Sequence, residues 1–235
     1  MKLEVKTCGL ADEASIDIAV AAGATHLGFI HFNRSPRHID MPAIARLVAH
    51  ARGRARTVVV SVDADDELLD RIVAEAQPDM LQFHGSETPE RVATWRDRSG
   101  LDTVKAIRVR KGSDVRSGLR YDGVVDRILF DAGPSQLRDL PGGNGECFNW
   151  DLLRAWKGGP FWLAGGINAG NVVQAIERVR PRGVDLSSGI EAQPGRKDPT
   201  KIRALFEVIN ASGRVGDVPT WRWAENSPPV VAAAE

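Results

Sequence analysis

Eight short apolar runs alternate with segments of helical periodicity along this chain: Lys2–Cys8, His26–Phe32, Thr57–Val62, Met80–His84, Thr103–Val109, Arg127–Asp131, Phe161–Ala164 and Gly183–Ser187. Strands that alternate with helices must run parallel, because the helix carries the chain back to the starting end of the sheet. Eight such units predict one closed (β/α)8 barrel. The intervening segments agree with that reading. Leu68, Leu69, Ile72, Val73 and Ala76 share one helical face, as do Ile202, Leu205, Phe206 and Ile209; such stripes are core packing rather than cofactor contacts. Thr88-Pro89-Glu90 and Asp198-Pro199 each place a capping side chain before a proline at the first helical position, and Asn168 is the expected start of the seventh helix.

Composition narrows the function. At 235 residues and 43% hydrophobic content the chain can fill one barrel core. Thirty-one basic residues balance thirty-one acidic ones, with no Lys/Arg run, so a nucleic-acid partner is not expected. No apolar stretch approaches the roughly 20 residues that span a bilayer, and no signal-like segment opens the chain, which predicts a cytoplasmic protein with no membrane partner. Two cysteines, Cys8 and Cys147, make neither a disulfide framework nor a zinc site. Residues 1–211 are therefore expected to form the catalytic barrel. Residues 212–235, with their glycines, prolines and Ala-rich end, are expected to form an extended or mobile tail in which Trp221 and Trp223 dock on the barrel or on a partner.

The chemistry is expected where the strands end. Catalytic groups of such barrels occupy the C-terminal face, and the loops after strands 7 and 8 are the usual phosphate site. Here those loops read Ala164-Gly165-Gly166 and Asp185-Leu186-Ser187-Ser188-Gly189. Glycines let backbone amides approach an anion, and a helix start adds a favourable dipole. Gly165, Gly166, Ser188 and Gly189 are thus the phosphate candidates, with Asp185 in the same substrate-binding set. Cys8 ends the first strand and Asp131 the sixth, and a thiol facing a carboxyl suits paired proton transfers. An inert buried cysteine and a loop-tethering carboxylate are the alternatives. In Asn33-Arg34-Ser35-Pro36-Arg37 a stiffened turn presents Arg37 as a planar clamp for a carboxylate. His84 either touches ligand or holds its loop. The glycine-rich connection from Ala132 to Phe148 has the character of a lid.

These residues resemble the phosphoribosylanthranilate isomerase family of TIM barrels. The resemblance is carried in order by Lys6-Thr7-Cys8-Gly9, Ser35-Pro36-Arg37, Gln82-Phe83-His84-Gly85, Asp131, Gly142 to Gly145, Phe148-Asn149-Trp150, Ala164-Gly165-Gly166-Ile167-Asn168, and Asp185-Leu186-Ser187-Ser188-Gly189-Ile190-Glu191. It implies a cofactor-free and metal-free Amadori rearrangement of a phosphorylated small molecule, N-(5-phosphoribosyl)anthranilate, by a monomer or homodimer. Cys8 would be the general base, Asp131 the general acid, and Arg37 the carboxylate clamp. Four positions depart from the family pattern: Thr7, which places a hydroxyl beside Cys8, Phe83, Asn144 in the lid, and Asn149. Indole-glycerol-phosphate synthase, a barrel of the same pathway, needs a lysine and glutamates at strand ends that are missing here. An isomerase of a modified phosphoribosyl-aminobenzoate, or a non-catalytic phosphate-ligand barrel, are the remaining alternatives.

Overall fold

The computed structural model describes residues 3–132 and 149–213. Eight parallel strands close on themselves in chain order: β1 (Glu4–Cys8), β2 (His26–Ile30), β3 (Arg56–Ser61), β4 (Met80–Phe83), β5 (Asp102–Val109), β6 (Arg127–Ala132), β7 (Phe161–Leu163) and β8 (Gly183–Leu186), the last pairing with the first. The expected barrel is therefore present. Around it run α1 (Glu13–Ala22), α2 (Met41–Ala51), α3 (Asp66–Arg71), α4 (Pro89–Ser99), α5 (Gly112–Ser117), α6 (Val172–Val179) and α7 (Pro199–Ala211). A short hairpin of β9 (Glu191–Gln193) and β10 (Arg196–Lys197) interrupts the last crossover. The lid, Cys147 and the tail from residue 214, with Trp221 and Trp223, lie outside the described residues.

Local chemistry explains where the helices begin. Thr88 accepts from the Arg91 amide, while Asp198 accepts from the amides of Thr200 and Lys201 at 2.8 and 3.2 Å, each just before a proline that has no N–H to satisfy. The start predicted at Asn168 is displaced. α6 begins at Val172, and Asn168 instead turns the loop by accepting from the Gly170 amide at 2.9 Å, while its own amide donates to the Asn171 side chain. Both asparagines donate to the Gly166 carbonyl, at 3.1 and 2.9 Å, so these capping-type side chains are spent shaping the loop. The stripe over 68–76 continues past α3 through a wider π turn, Ile72–Ala76, that keeps Leu69, Ile72 and Ala76 buried.

Two apolar layers result. The larger lies between barrel and helices and includes the whole 202–209 stripe; the smaller fills the barrel with Val58, Met80, Val104, Ala106, Leu129, Trp162 and Ala164. Polar residues sit above and below that plug. At the N-terminal end Glu4 accepts two bonds from Arg127 and one from Arg182, all at 3.1 Å, and one from the Trp162 indole at 2.6 Å. Burial alone would raise its pKa, but the donors, led by Arg127, hold it down at about 2. Beside it His26 packs edge-to-face on Trp162, and burial pushes its pKa down to about 3.

Candidate active site

Strand alternation decides which side chains reach the barrel mouth. Lys6 and Cys8 project inward from β1, Gln82 from β4 with His84 just beyond it, Asp131 from β6 and Asp185 from β8; Thr7 faces the helices. The concern that Thr7 sets a hydroxyl beside the cysteine is thereby corrected. Its Oγ1 is buried in the outer layer with no hydrogen-bond partner among the described residues. Cys8, Arg37, His84, Asp131, Gly165, Gly166, Asp185 and Ser188, all expected at the site, line one cavity of about 300 Å³. Gly189 stands one residue behind that wall, where a Cβ would collide with the Ile167 carbonyl, so packing explains this glycine.

Thiol and carboxyl share the cavity from strands three places apart around the ring. Cys8 is 5% exposed; burial pushes its thiol pKa up, the Lys6 ammonium pulls it down, and the Asp185 carboxylate adds to the upward push. Lys6, fully buried, donates to both Asp185 oxygens at 3.1 Å. Burial opposes its charge, but Asp185 and Cys8 outweigh that and raise its pKa; burial also raises that of Asp185. On the facing wall His84 Nε2 lies 3.3 Å from Asp131 Oδ2 without hydrogen-bond alignment. The Gln82 amide donates to His84 Nδ1 at 3.0 Å, which leaves the ring proton on Nε2, toward the acid. Behind His84 the loop is pinned, since Gly85 donates to Glu87 and accepts from Lys105 at 2.7 Å. His84 thus lines the cavity from a fixed loop.

Arg37 reaches the cavity from the expected turn, where Ser35 Oγ accepts from the Arg37 amide at 3.1 Å. Its guanidinium is already gripped along one edge. Nε and Nη2 donate to Glu191 at 2.7 and 2.6 Å, and Lys197 Nζ donates to the same carboxylate at 2.9 Å. Despite burial these cations, Arg37 first, hold Glu191 below the usual carboxylate range. This fixes the fork's plane. Sequence reasoning missed Glu191, Lys197 and Lys6 as site residues; an Arg–Glu pair 154 positions apart leaves no local trace, although Lys6 two residues before Cys8 was visible as an ionic residue on an inward strand face.

The two glycine-rich loops differ in detail. Gly165 has φ +90°, and a Cβ there would lie 2.5 Å from Ala132 Cβ and 2.6 Å from its amide nitrogen. Gly166, at φ +63°, follows on the cavity wall, and Ser188 opens a three-residue turn over Ser188–Ile190. No Arg or Lys other than Arg37 lines the cavity, among the described residues, so an anion at these loops would meet backbone rather than a second cationic side chain.

A closed parallel barrel whose mouth joins a thiol, a carboxyl and glycine-rich loops has the form of a barrel enzyme whose side chains are able to carry protons. The family pattern of N-(5'-phosphoribosyl)anthranilate isomerase matches residues 5–208. Relatives of that name from Chelativorans and Rhizobium meliloti are 48% and 50% identical over 213 and 210 residues, which cover 90% and 89% of this chain and 98% of each relative. Solved phosphoribosylanthranilate isomerases from Thermotoga maritima and Thermus thermophilus superpose with TM-scores of 0.78 and 0.76 at 28% and 29% identity, covering 89% of this chain and 99% of theirs. Another solved phosphoribosylanthranilate isomerase, at TM-score 0.76, is described in complex with reduced 1-(o-carboxyphenylamino)-1-deoxyribulose 5-phosphate. This chain belongs to the N-(5'-phosphoribosyl)anthranilate isomerase family.

Proposed function

We propose that the protein converts N-(5-phosphoribosyl)anthranilate to 1-(2-carboxyphenylamino)-1-deoxyribulose 5-phosphate on the route to tryptophan, in the cytoplasm, with Asp131 as general acid and Cys8 as general base. The observation that carries this reading is the inward thiol of Cys8 sharing one cavity with the Asp131 carboxyl and the Gly165-Gly166 loop. Asp131 gives its proton to the furanose ring oxygen as the C1–O bond breaks, and the aniline nitrogen's lone pair forms the iminium. Cys8 as thiolate then takes the proton from C2, and that C–H pair neutralises the iminium to give an enolamine. The enolamine tautomerises to the ketone. No external electron acceptor is consumed, because C1 is reduced as C2 is oxidised.

The remaining groups bind. Arg37, its plane fixed by Glu191, holds the anthranilate carboxylate. Gly165, Gly166 and Ser188 take the phosphate through their backbone amides, while Gly189, also expected there, serves packing behind them. Asp185 anchors the Lys6 ammonium, and His84 stands 3.3 Å from Asp131. Turnover is tested by the loss of anthranilate-type fluorescence when substrate is added to the purified protein. A competent, phosphate-competed activity is expected; absence of turnover would leave a ligand-binding barrel. Gly166→Val, which puts a branched side chain on the cavity wall, is expected to abolish binding of phosphorylated ligands and, because a branched residue is strained at φ +63°, to lower the melting temperature while the barrel still folds.

A further inference from the structure

The floor of the cavity holds more charge than the two proton transfers need. Lys6 and Asp185 are 0% and 8% exposed, and each costs free energy to bury as an ion. Neither appears as acid or base in the reaction above. β2 contributes Gly28 opposite Cys8, and a Cβ there would lie 2.8 Å from Cys8 Sγ and 2.9 Å from Lys6 Nζ. Thiol and ammonium therefore converge on the one spot that a missing side chain leaves open. On the other side the ammonium is anchored to both oxygens of Asp185, its register partner on β8.

We propose that Lys6 is a positioning residue whose ammonium, held under the cavity by Asp185, is the counter-ion of the Cys8 thiolate, and that Asp185 limits how far that thiolate is favoured. A buried thiolate without a neighbouring cation would be opposed by desolvation alone. One ammonium between two acidic groups instead lets the negative charge reside on either, so that a thiolate at Cys8 is fully compensated when the proton rests on Asp185 and shares the ammonium when it does not. Other charges that face this cluster are Lys197 from β10, itself tied to Glu191, and Asp131 and His84 from the opposite wall. Lys197 adds to the cationic side of the balance and Asp131 to the anionic side.

The inference rests on Cys8 being the base, and its test does not need turnover. In a Cys147→Ala background, where Cys8 is the only thiol, the thiolate ultraviolet absorbance is followed through a pH series. Lys6→Met is expected to raise the midpoint by about one unit or more, and Asp185→Asn to lower it. The bell of kcat against pH should shift its limb in the same two directions. Should Lys6→Met fail to fold, the Asp185→Asn arm still stands, and the charge-neutral pair Lys6→Met with Asp185→Asn should titrate between the two single variants. Midpoints that stay put in every variant, or move the same way in both, would overturn the proposal. Full turnover by Cys8→Ser would instead remove the base assignment and leave the titration result intact.

Discussion

The two ends of the barrel each bury a charged cluster under the same apolar plug, yet the clusters are built on opposite terms. At the N-terminal end one carboxylate, Glu4, receives four hydrogen bonds from two guanidiniums and an indole. At the C-terminal end Gln82 Oε1, His84 Nε2 and Ser187 Oγ are buried with no hydrogen-bond partner among the described residues, and all three residues line the cavity that also holds Asp131. A saturated network specifies structure. An unsaturated one costs stability that a ligand can restore, which is how a preformed site is recognised physically.

The largest effect that could break this contrast lies at the mouth. Cys8→Ser and Asp131→Asn are each expected to lower kcat by about two to four orders of magnitude with little change in melting temperature, as read by steady-state turnover and calorimetry. A serine variant within tenfold of the parent would remove Cys8 from the chemistry. Next comes binding. Arg37→Ala should raise KM by about tenfold or more while kcat moves less, the split expected of a group that holds substrate throughout. Glu191→Gln should reproduce part of that loss without touching ligand; an unchanged affinity in both variants would send the search for the carboxylate clamp elsewhere on the rim.

At the other end the signs reverse. Glu4→Gln leaves two guanidiniums without their carboxylate and should cost about 3 kcal/mol of stability while kcat stays near the parent value. The pH dependence follows from the same cluster. Glu4 titrates near 2 in the fold against an ordinary 4.5, and His26 near 3 against 6.5, so between those values the unfolded chain binds more protons than the native one. Stability therefore falls as pH drops from about 6.5 toward 2, and Glu4→Gln should flatten the part below 4.5. Urea titrations through that range read the slope directly. The smallest effect is expected at Thr7→Val, which removes a buried unpaired hydroxyl and should stabilise by about 1 kcal/mol without altering kinetics.

What was legible in the sequence follows the range of the forces involved. The barrel could be read because each βα unit is specified by its own apolar run and cap: Thr88 and Asp198 cap the helices they precede. Cys8, Asp131 and Arg37 could be expected at one cavity because strand ends and a stiff turn fix their direction. Asn168 misled because the same amide that caps a helix can also close a loop, and only Gly166 at the far side of the turn decides between them. Thr7 misled because adjacency in sequence is opposition across a strand. Long-range pairs such as Arg37 with Glu191 are decided by barrel closure, which no local pattern contains.

One contact joins the halves of the site in a way that bears on how such a barrel can change over generations. Gly165 lies so close against Ala132 that a side chain at 165 would collide with it, and Ala132 follows Asp131 directly on β6. The loop proposed to grip phosphate and the strand that carries the acid are therefore a single rigid bracket. A lineage that gave residue 165 a side chain would have to move the strand that carries the acid at the same stroke. New substrates for this scaffold are more readily reached from the aromatic side, around Arg37, than from the phosphate side.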